Sequence, residues 1–202
     1  MKLVDEIERC AAAFGEPSAE ALSSIRNPEL KTLIARTNSV LALSGAFVLF
    51  GIGDDPMHPL DLRGYRNWPG RGDYGLLLTD EVFGADIFGD LMFLRGADAF
   101  RLNGEMGEHV PLGAFSAWLE QDRSEAAEEL GGNLARDRFG GQVIGEDPLR
   151  LLPIFPFMMK EFVAGEFFET PLSRAVDLKL RLFRLCRDTP DGEGVDCSFW
   201  KA

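Results

Sequence analysis

Apolar residues fall at helical steps at the start of the chain. Leu3, Ile7, Cys10 and Phe14 recur every three or four residues and define one helix face, which Gly15 would stop. Pro17 opens a second helix over residues 18–24. Asn27-Pro28 marks a third start, because an Asn side chain accepts from free first-turn N–H groups and Pro suits the first helical position. Leu30, Leu33 and Ile34 would be its buried stripe, with Arg36 complementing the dipole at its end.

The pattern changes after Asn38. Residues 46–50 are a continuous β-rich apolar run, as in a strand covered on both faces. Residues 53–73 have no period and hold the turn-forming runs Asp54-Asp55-Pro56, His58-Pro59 and Trp68-Pro69-Gly70; long connections of this sort often carry function. From Tyr74 onward, short apolar segments at 75–79, 82–88, 91–94, 99–102 and 109–112 predict a β-meander, with Asn103-Gly104 as a hairpin turn. A helix is predicted over 115–136, capped by Ser116, with Trp118, Leu119, Ala126, Leu130 and Leu134 inward. Glu120, Asp122, Glu125, Glu128 and Glu129 face outward, and Gly131-Gly132 interrupts or ends it. Residues 151–157, with Pro153 and Pro156, suit an edge strand, and 165–169 another strand.

Residues 173–187 fit two periods. Val176, Leu178, Leu180 and Leu182 alternate, whereas Leu172, Val176, Lys179, Leu182, Phe183 and Cys186 follow helical spacing; length and the terminating Thr189-Pro190-Asp191-Gly192 favour a helix. Val195, Cys197 and Phe199 alternate as in a final strand. The order predicts one α+β domain over 1–202, a mixed, mostly antiparallel sheet packed against several helices. Its parts are a helical 1–38, a strand-rich 46–112, a helix at 113–138 and a strand–helix–strand part at 148–200.

Composition narrows the function. Hydrophobic residues at 46% and charged residues at 27% fit a folded chain. Against 33 acids stand 21 Lys and Arg, and the net charge of −12 argues against a broad grip on nucleic acid or docking on anionic lipid. It fits a basic partner or simple solubility. The acidic start, Met1 to Glu6, lacks the features of a secretory signal, and no apolar run is long enough to span a bilayer, so the expected location is cytoplasmic. Cys10, Cys186 and Cys197 are odd in number, widely spaced and without a CxxC, as expected of free thiols.

Catalytic signals are weak. His58 stands near Asp54 and Asp55, and His109 near Glu105 and Glu108, but neither has the spacing of a metal site. Ser44-Gly45 lacks the GxSxG elbow, and nothing marks a cysteine as an activated thiol. Gly51-Ile52-Gly53 lacks a third glycine and is followed by two acids that would repel a pyrophosphate. Arg71-Gly72-Asp73 is a chance adhesion tripeptide. No enzyme, metal or cofactor is expected. The acids themselves are the main feature: residues 73–108 hold eight of them against Arg95 and Arg101, so half of the net charge lies there. On hairpins such acids would share one rim, either as a surface for a basic protein or as a solvated guard on edge strands.

Asp86-Ile87-Phe88-Gly89-Asp90, residues 101–108, residues 151–157 and residues 186–192 form four motifs whose order resembles the SUKH superfamily of bacterial immunity proteins and fungal cell-wall-synthesis regulators. Asp86-Ile87-Phe88-Gly89-Asp90, preceded by Leu76-Leu77-Leu78-Thr79-Asp80-Glu81, is similar to that family's F-G-D block. Residues 101–108 resemble its ETGE hairpin, with Met106 in place of the usual Thr. Residues 151–157 resemble its L-P-x-x-P-F strand, although Met158-Met159-Lys160-Glu161 replaces the G-G that usually follows. Cys186 to Gly192 resembles its R-D-x-P-D-G end. The resemblance implies a binding protein without catalytic residues. It would be an immunity protein that neutralises a cognate toxin, a nuclease or other enzyme delivered by a type VI or other contact-dependent system, by covering its active site. A basic toxin would suit the charge. The alternative is a housekeeping scaffold or regulator of the same superfamily. The expected partner-binding residues are Asp54, Asp55, Tyr65 and Trp68 in the long connection, and Asp80, Glu81, Asp86, Asp90, Glu105 and Glu108 on the rim. Charge reversal at Asp86 and Asp90 would then slow association most at low salt; the alternative is that these two acids cap turns around Phe88-Gly89 and that Tyr65 and Trp68 pack the long connection onto the domain.

Overall fold

The computed structural model describes residues 1–132, 150–151, 170–190 and 193–194. The chain opens with three helices, α1 (Leu3–Ile7), α2 (Ala19–Ser23) and α3 (Pro28–Thr37). The first is shorter than its apolar spacing predicts: it ends at Ile7, and Cys10 and Phe14 lie in the turns beyond it. Ser18 caps α2 by accepting from the Ala21 N–H at 3.1 Å. Asn27 caps α3 by accepting from Glu29 and Leu30, and Leu30, Leu33 and Ile34 are buried as the periodicity predicts. The helix stops at Asn38, which is left-handed with φ 37°.

Six strands follow as one antiparallel meander: β1 (Val40–Ala42), β2 (Phe47–Leu49), β3 (Glu81–Asp86), β4 (Leu91–Arg95), β5 (Asp98–Asn103) and β6 (Glu108–Ala114). Every strand pairs with its chain neighbour. Among the described residues the six-stranded sheet is antiparallel throughout, and parallel pairing is confined to one isolated bridge between Gly51 and Asp61. The α+β class stands. All six residues of β3 are buried, because central strands are covered on both faces. Gly84 lets β2 approach there: a Cβ would sit 2.5 Å from the Val48 carbonyl oxygen. At the edge, β6 accommodates Pro111 and is largely open to solvent.

Three expectations need correction. Residues 75–79 form turns rather than a strand, because Arg71 and Asp80 tie up the backbone groups that a ladder would use. The predicted 115–136 helix is divided into α4 (Phe115–Glu120) and α5 (Arg123–Glu129), since Asp122 breaks out to accept from the Ser124 N–H at 2.8 Å. Ser116 is not the cap; that position belongs to Ala114, without a side-chain bond. Gly131, at φ 80°, closes the turn after α5 as its pairing with Gly132 suggests.

The core joins Phe47, Phe83, Phe115 and Trp118 edge to face, with ring centroids 5.1–5.6 Å apart for Phe83–Phe115, Phe47–Trp118 and Phe83–Trp118. Aromatic pairs in this geometry contribute about 0.5–1.5 kcal/mol each beyond area burial. A short pair, β7 (Arg150–Leu151) with β8 (Thr170–Pro171), leads into α6 (Leu172–Asp188), the helix that the long apolar stripe predicts. Leu134, most of the predicted 151–157 strand, the 165–169 strand and the Val195–Phe199 alternation lie outside the described residues. No helix among the described residues is long and apolar enough to cross a membrane.

Candidate functional site

The two family-like motifs meet at one place. The turn between β3 and β4 carries Asp86 and Asp90, and the turn between β5 and β6 carries Glu105. Lys179, from the buried face of α6, reaches between them. Its ammonium lies 2.5 Å from Asp90 Oδ1 and 3.5 Å from Glu105 Oε1, with 2% of the residue exposed. Asp86 is 1% exposed and shapes its own turn by accepting from the Phe88 and Asp90 N–H groups. Asp90 Oδ1 also accepts from the Gly104 N–H at 3.0 Å, which ties the two turns together. The Tyr74 hydroxyl donates to the Gly104 carbonyl at 2.6 Å from the third side. Arg101 Nη1 stands 3.9 Å from Asp86 Oδ2.

Electrostatics follow from crowding. Burial pushes the Asp86 carboxyl up to about 7, and the neighbouring Asp90 charge adds to it. Burial also lifts Glu105 to about 7, against the pull of Lys179. Burial works against the Lys179 charge, but Asp90, Glu105 and Asp86 outweigh it and hold the ammonium above its ordinary value. Both signs agree with one picture, in which carboxylates outnumber the cations that face them.

The remaining acids of the expected rim are also engaged inside the fold. Asp80 holds Arg95 through two bonds, at 3.1 and 2.7 Å, and accepts from the Leu77 N–H. Glu81 accepts from the Arg26 and Asn27 N–H groups at 2.8 Å each, at the mouth of α3, where the helix dipole favours an anion. The reading of Asp80, Glu81, Asp86 and Glu105 as a solvent-facing rim is therefore corrected: all four are buried. Asp90 is half-buried in its ion pair. Tyr65 is no exposed anchor either. It stacks on Phe50 at 4.8 Å and donates to the Pro59 carbonyl. Trp68 is half-buried and lies against Tyr74, which stacks in turn on Phe183 of α6. Of the ten expected residues, Asp54, Asp55 and Glu108 face solvent.

Other residues do what the sequence did not suggest. Asp61, fully buried, holds Arg63 through both oxygens and accepts from the Gly53 N–H, so it organises the start of the long connection. Buried Arg71 donates to the carbonyls of Tyr65, Leu77 and Asp80. Exposed Arg26 donates to the Leu78 carbonyl. Together these bonds fix a tight loop that leaves Leu77 52% and Leu78 83% exposed. The same connection exposes Met57 to 83%, beside Asp54 and Asp55. Only Lys179 had a signal in the sequence: a lysine standing in the apolar stripe of a helix must find buried anions.

The histidines are set in packing roles. His58 meets Phe14 edge-on at 5.1 Å. His109 Nε2 lies 2.8 Å from the Tyr74 carbonyl, with the ring edge-on to Phe93. Burial pushes the Cys10 and Cys186 thiols up, opposite to the shift that activates a nucleophile. Among the described residues no three His, Cys, Asp or Glu side chains are grouped to hold a metal ion. A shallow groove of about 330 Å³ between α1, α3 and α4 has an apolar floor of Val4, Leu33 and Leu119, with the Glu8–Arg36 ion pair at its rim. Comparison with protein-family models, curated proteins and solved structures finds no match to the chain.

Proposed function

We propose that the chain is a protein-binding domain of the immunity type, which neutralises a basic protein toxin by covering its active site. The observation that carries this reading is the Leu76–Asp80 loop. Two adjacent leucines point into solvent from a backbone held by Arg71, Arg26 and Asp80. A loop whose backbone is already fixed loses little backbone entropy when a partner covers its side chains, so the loop is built as an interface anchor. Asp54, Asp55 and the net charge of −12 supply attraction for a basic partner. The four motifs resembling SUKH proteins agree with this reading.

The test uses the protein encoded by the reading frame immediately upstream as the candidate toxin. Co-expression should rescue growth, and the purified pair should bind one to one. Leu77→Asp with Leu78→Asp should weaken binding at least about 100-fold, the scale of a lost hot spot, with the thermal midpoint unchanged because neither side chain is in the core. Full affinity in that folded variant sinks the loop as the anchor. Failure to rescue, together with capture of several cellular partners, favours a housekeeping scaffold.

A further inference from the structure

The cluster around Lys179 has an imbalance that its geometry exposes. Three carboxylates, Asp86, Asp90 and Glu105, face one ammonium, and among the described residues a second cation, Arg101, stands 3.9 Å from Asp86. With every group ionised the cluster would carry one uncompensated negative charge, with Asp86, Glu105 and Lys179 buried. Two of its oxygens, Asp86 Oδ2 and Glu105 Oε2, are buried and accept no hydrogen bond. An ionised oxygen with no donor is the costliest state for such a site, and a bound proton removes that cost.

We propose that α6 docks onto the sheet as a proton-linked latch: the Lys179 cluster takes up one proton from water when the helix seats and gives it back when the helix lifts. The proton forms an O–H bond on Asp86 or Glu105, leaving two carboxylates against Lys179 and Arg101. Among the described residues, the groups facing this site are Asp86 and Asp90 from the β3–β4 turn, Glu105 from the β5–β6 turn, Arg101 from β5 and Tyr74 from the long connection. On α6 itself, Cys186 is near enough to feel Glu105, and Arg184 is turned to Asp73. The raised carboxyls of Asp86 and Glu105, both at about 7, place the transition near neutrality.

The sign follows from linkage. A carboxyl whose pKa is higher in the seated state stabilises seating most at low pH, and that contribution is lost as pH rises through about 7. Lifting α6 would uncover Val176 and Leu180 and separate Phe183 from Tyr74. Only the helix and its contacts respond; β3 and β4 stay paired. The latch is independent of the toxin-binding reading and can fail or stand without it.

Hydrogen–deuterium exchange of the full chain, followed from pH 5.5 to 8.5 and corrected for the intrinsic pH dependence of amide exchange, tests the proposal. The opening constant of α6 amides should rise toward tenfold per pH unit below about 7, the slope for one proton, and level off above it, while β3 and β4 amides stay flat. Asp86→Asn, which carries a permanently neutral group, should remove most of that slope. Glu105→Gln provides the same comparison should the first variant not fold. A flat α6 profile in the wild-type chain overturns the latch, and so does an unchanged slope in whichever variant folds.

Discussion

Asn27 ties three parts of the molecule at one corner. Its side-chain oxygen accepts from Glu29 and Leu30 at the start of α3, its amide donates to the Gly96 carbonyl in the β4–β5 turn, and its backbone N–H reaches Glu81. Asn27→Ala removes a helix cap and a tertiary hydrogen bond, and should lower the unfolding free energy by about 2 kcal/mol. Asn27→Ser keeps the cap and loses only the bond to Gly96, so it should cost about half as much. Urea denaturation of the two variants separates the contributions, and equal losses would show that the Gly96 bond contributes nothing. Asn38 works the same way at the other end of α3. It is left-handed, and its amide accepts from the Ile52 N–H at 2.8 Å and donates to the Ile52 carbonyl at 3.1 Å. Gly51 leaves room for it, since a Cβ there would lie 2.6 Å from Asn38 Oδ1.

At the scale of elements, α6 is held by contacts that are remote in sequence. Lys179 and Asp90 are 89 positions apart, and Arg184 and Arg187 reach back to Asp73 at 2.5 and 3.1 Å. Gly107 adds a steric condition: its φ is 69°, and a Cβ would stand 2.4 Å from the Phe183 ring. Gly107→Ala should therefore destabilise by more than the roughly 1–2 kcal/mol of left-handed strain alone. Phe183→Ala should relieve the excess, so a double-mutant cycle should return a coupling of about 0.5–3 kcal/mol; additive losses would mean that the ring simply moves aside. This remoteness sets what the sequence could reveal. Asn27-Pro28, the short apolar segments of β3–β6 and the α6 stripe were legible because cap, period and turn chemistry are local. The break at Asp122 was not, because one capping bond outweighs several residues of helical spacing. Nor was the burial of Asp80, Glu81, Asp86 and Glu105. An acid in a turn reads alike whether it meets water or a distant Lys or Arg, and only tertiary packing decides.

For the whole molecule, the net charge of −12 takes on a different distribution. Of the eight acids of residues 73–108, only Asp98 and Glu108 face solvent; the others are buried or half-buried, and among them Asp73, Asp80, Asp90 and Glu105 pair with Arg184, Arg187, Arg95 and Lys179. On α5, by contrast, Glu125, Glu128 and Glu129 are exposed and make no ion pair among the described residues. Long-range attraction depends on exposed, uncompensated charge, so this face, with Asp54 and Asp55, is where a basic partner would feel the protein first. Reversing Glu125, Glu128 and Glu129 to Lys should slow association with the upstream-encoded protein by about tenfold at low ionic strength. The difference should shrink at high salt, as the screening length contracts to a few ångströms. Reversing Asp86 and Asp90 should instead unfold the corner around Lys179, since it leaves a buried ammonium among new cations. Stopped-flow association rates across a salt series, read alongside thermal midpoints, distinguish the two variants. A fully folded Asp86 and Asp90 reversal with slowed association would return the acidic rim to the surface, against the burial that defines this fold.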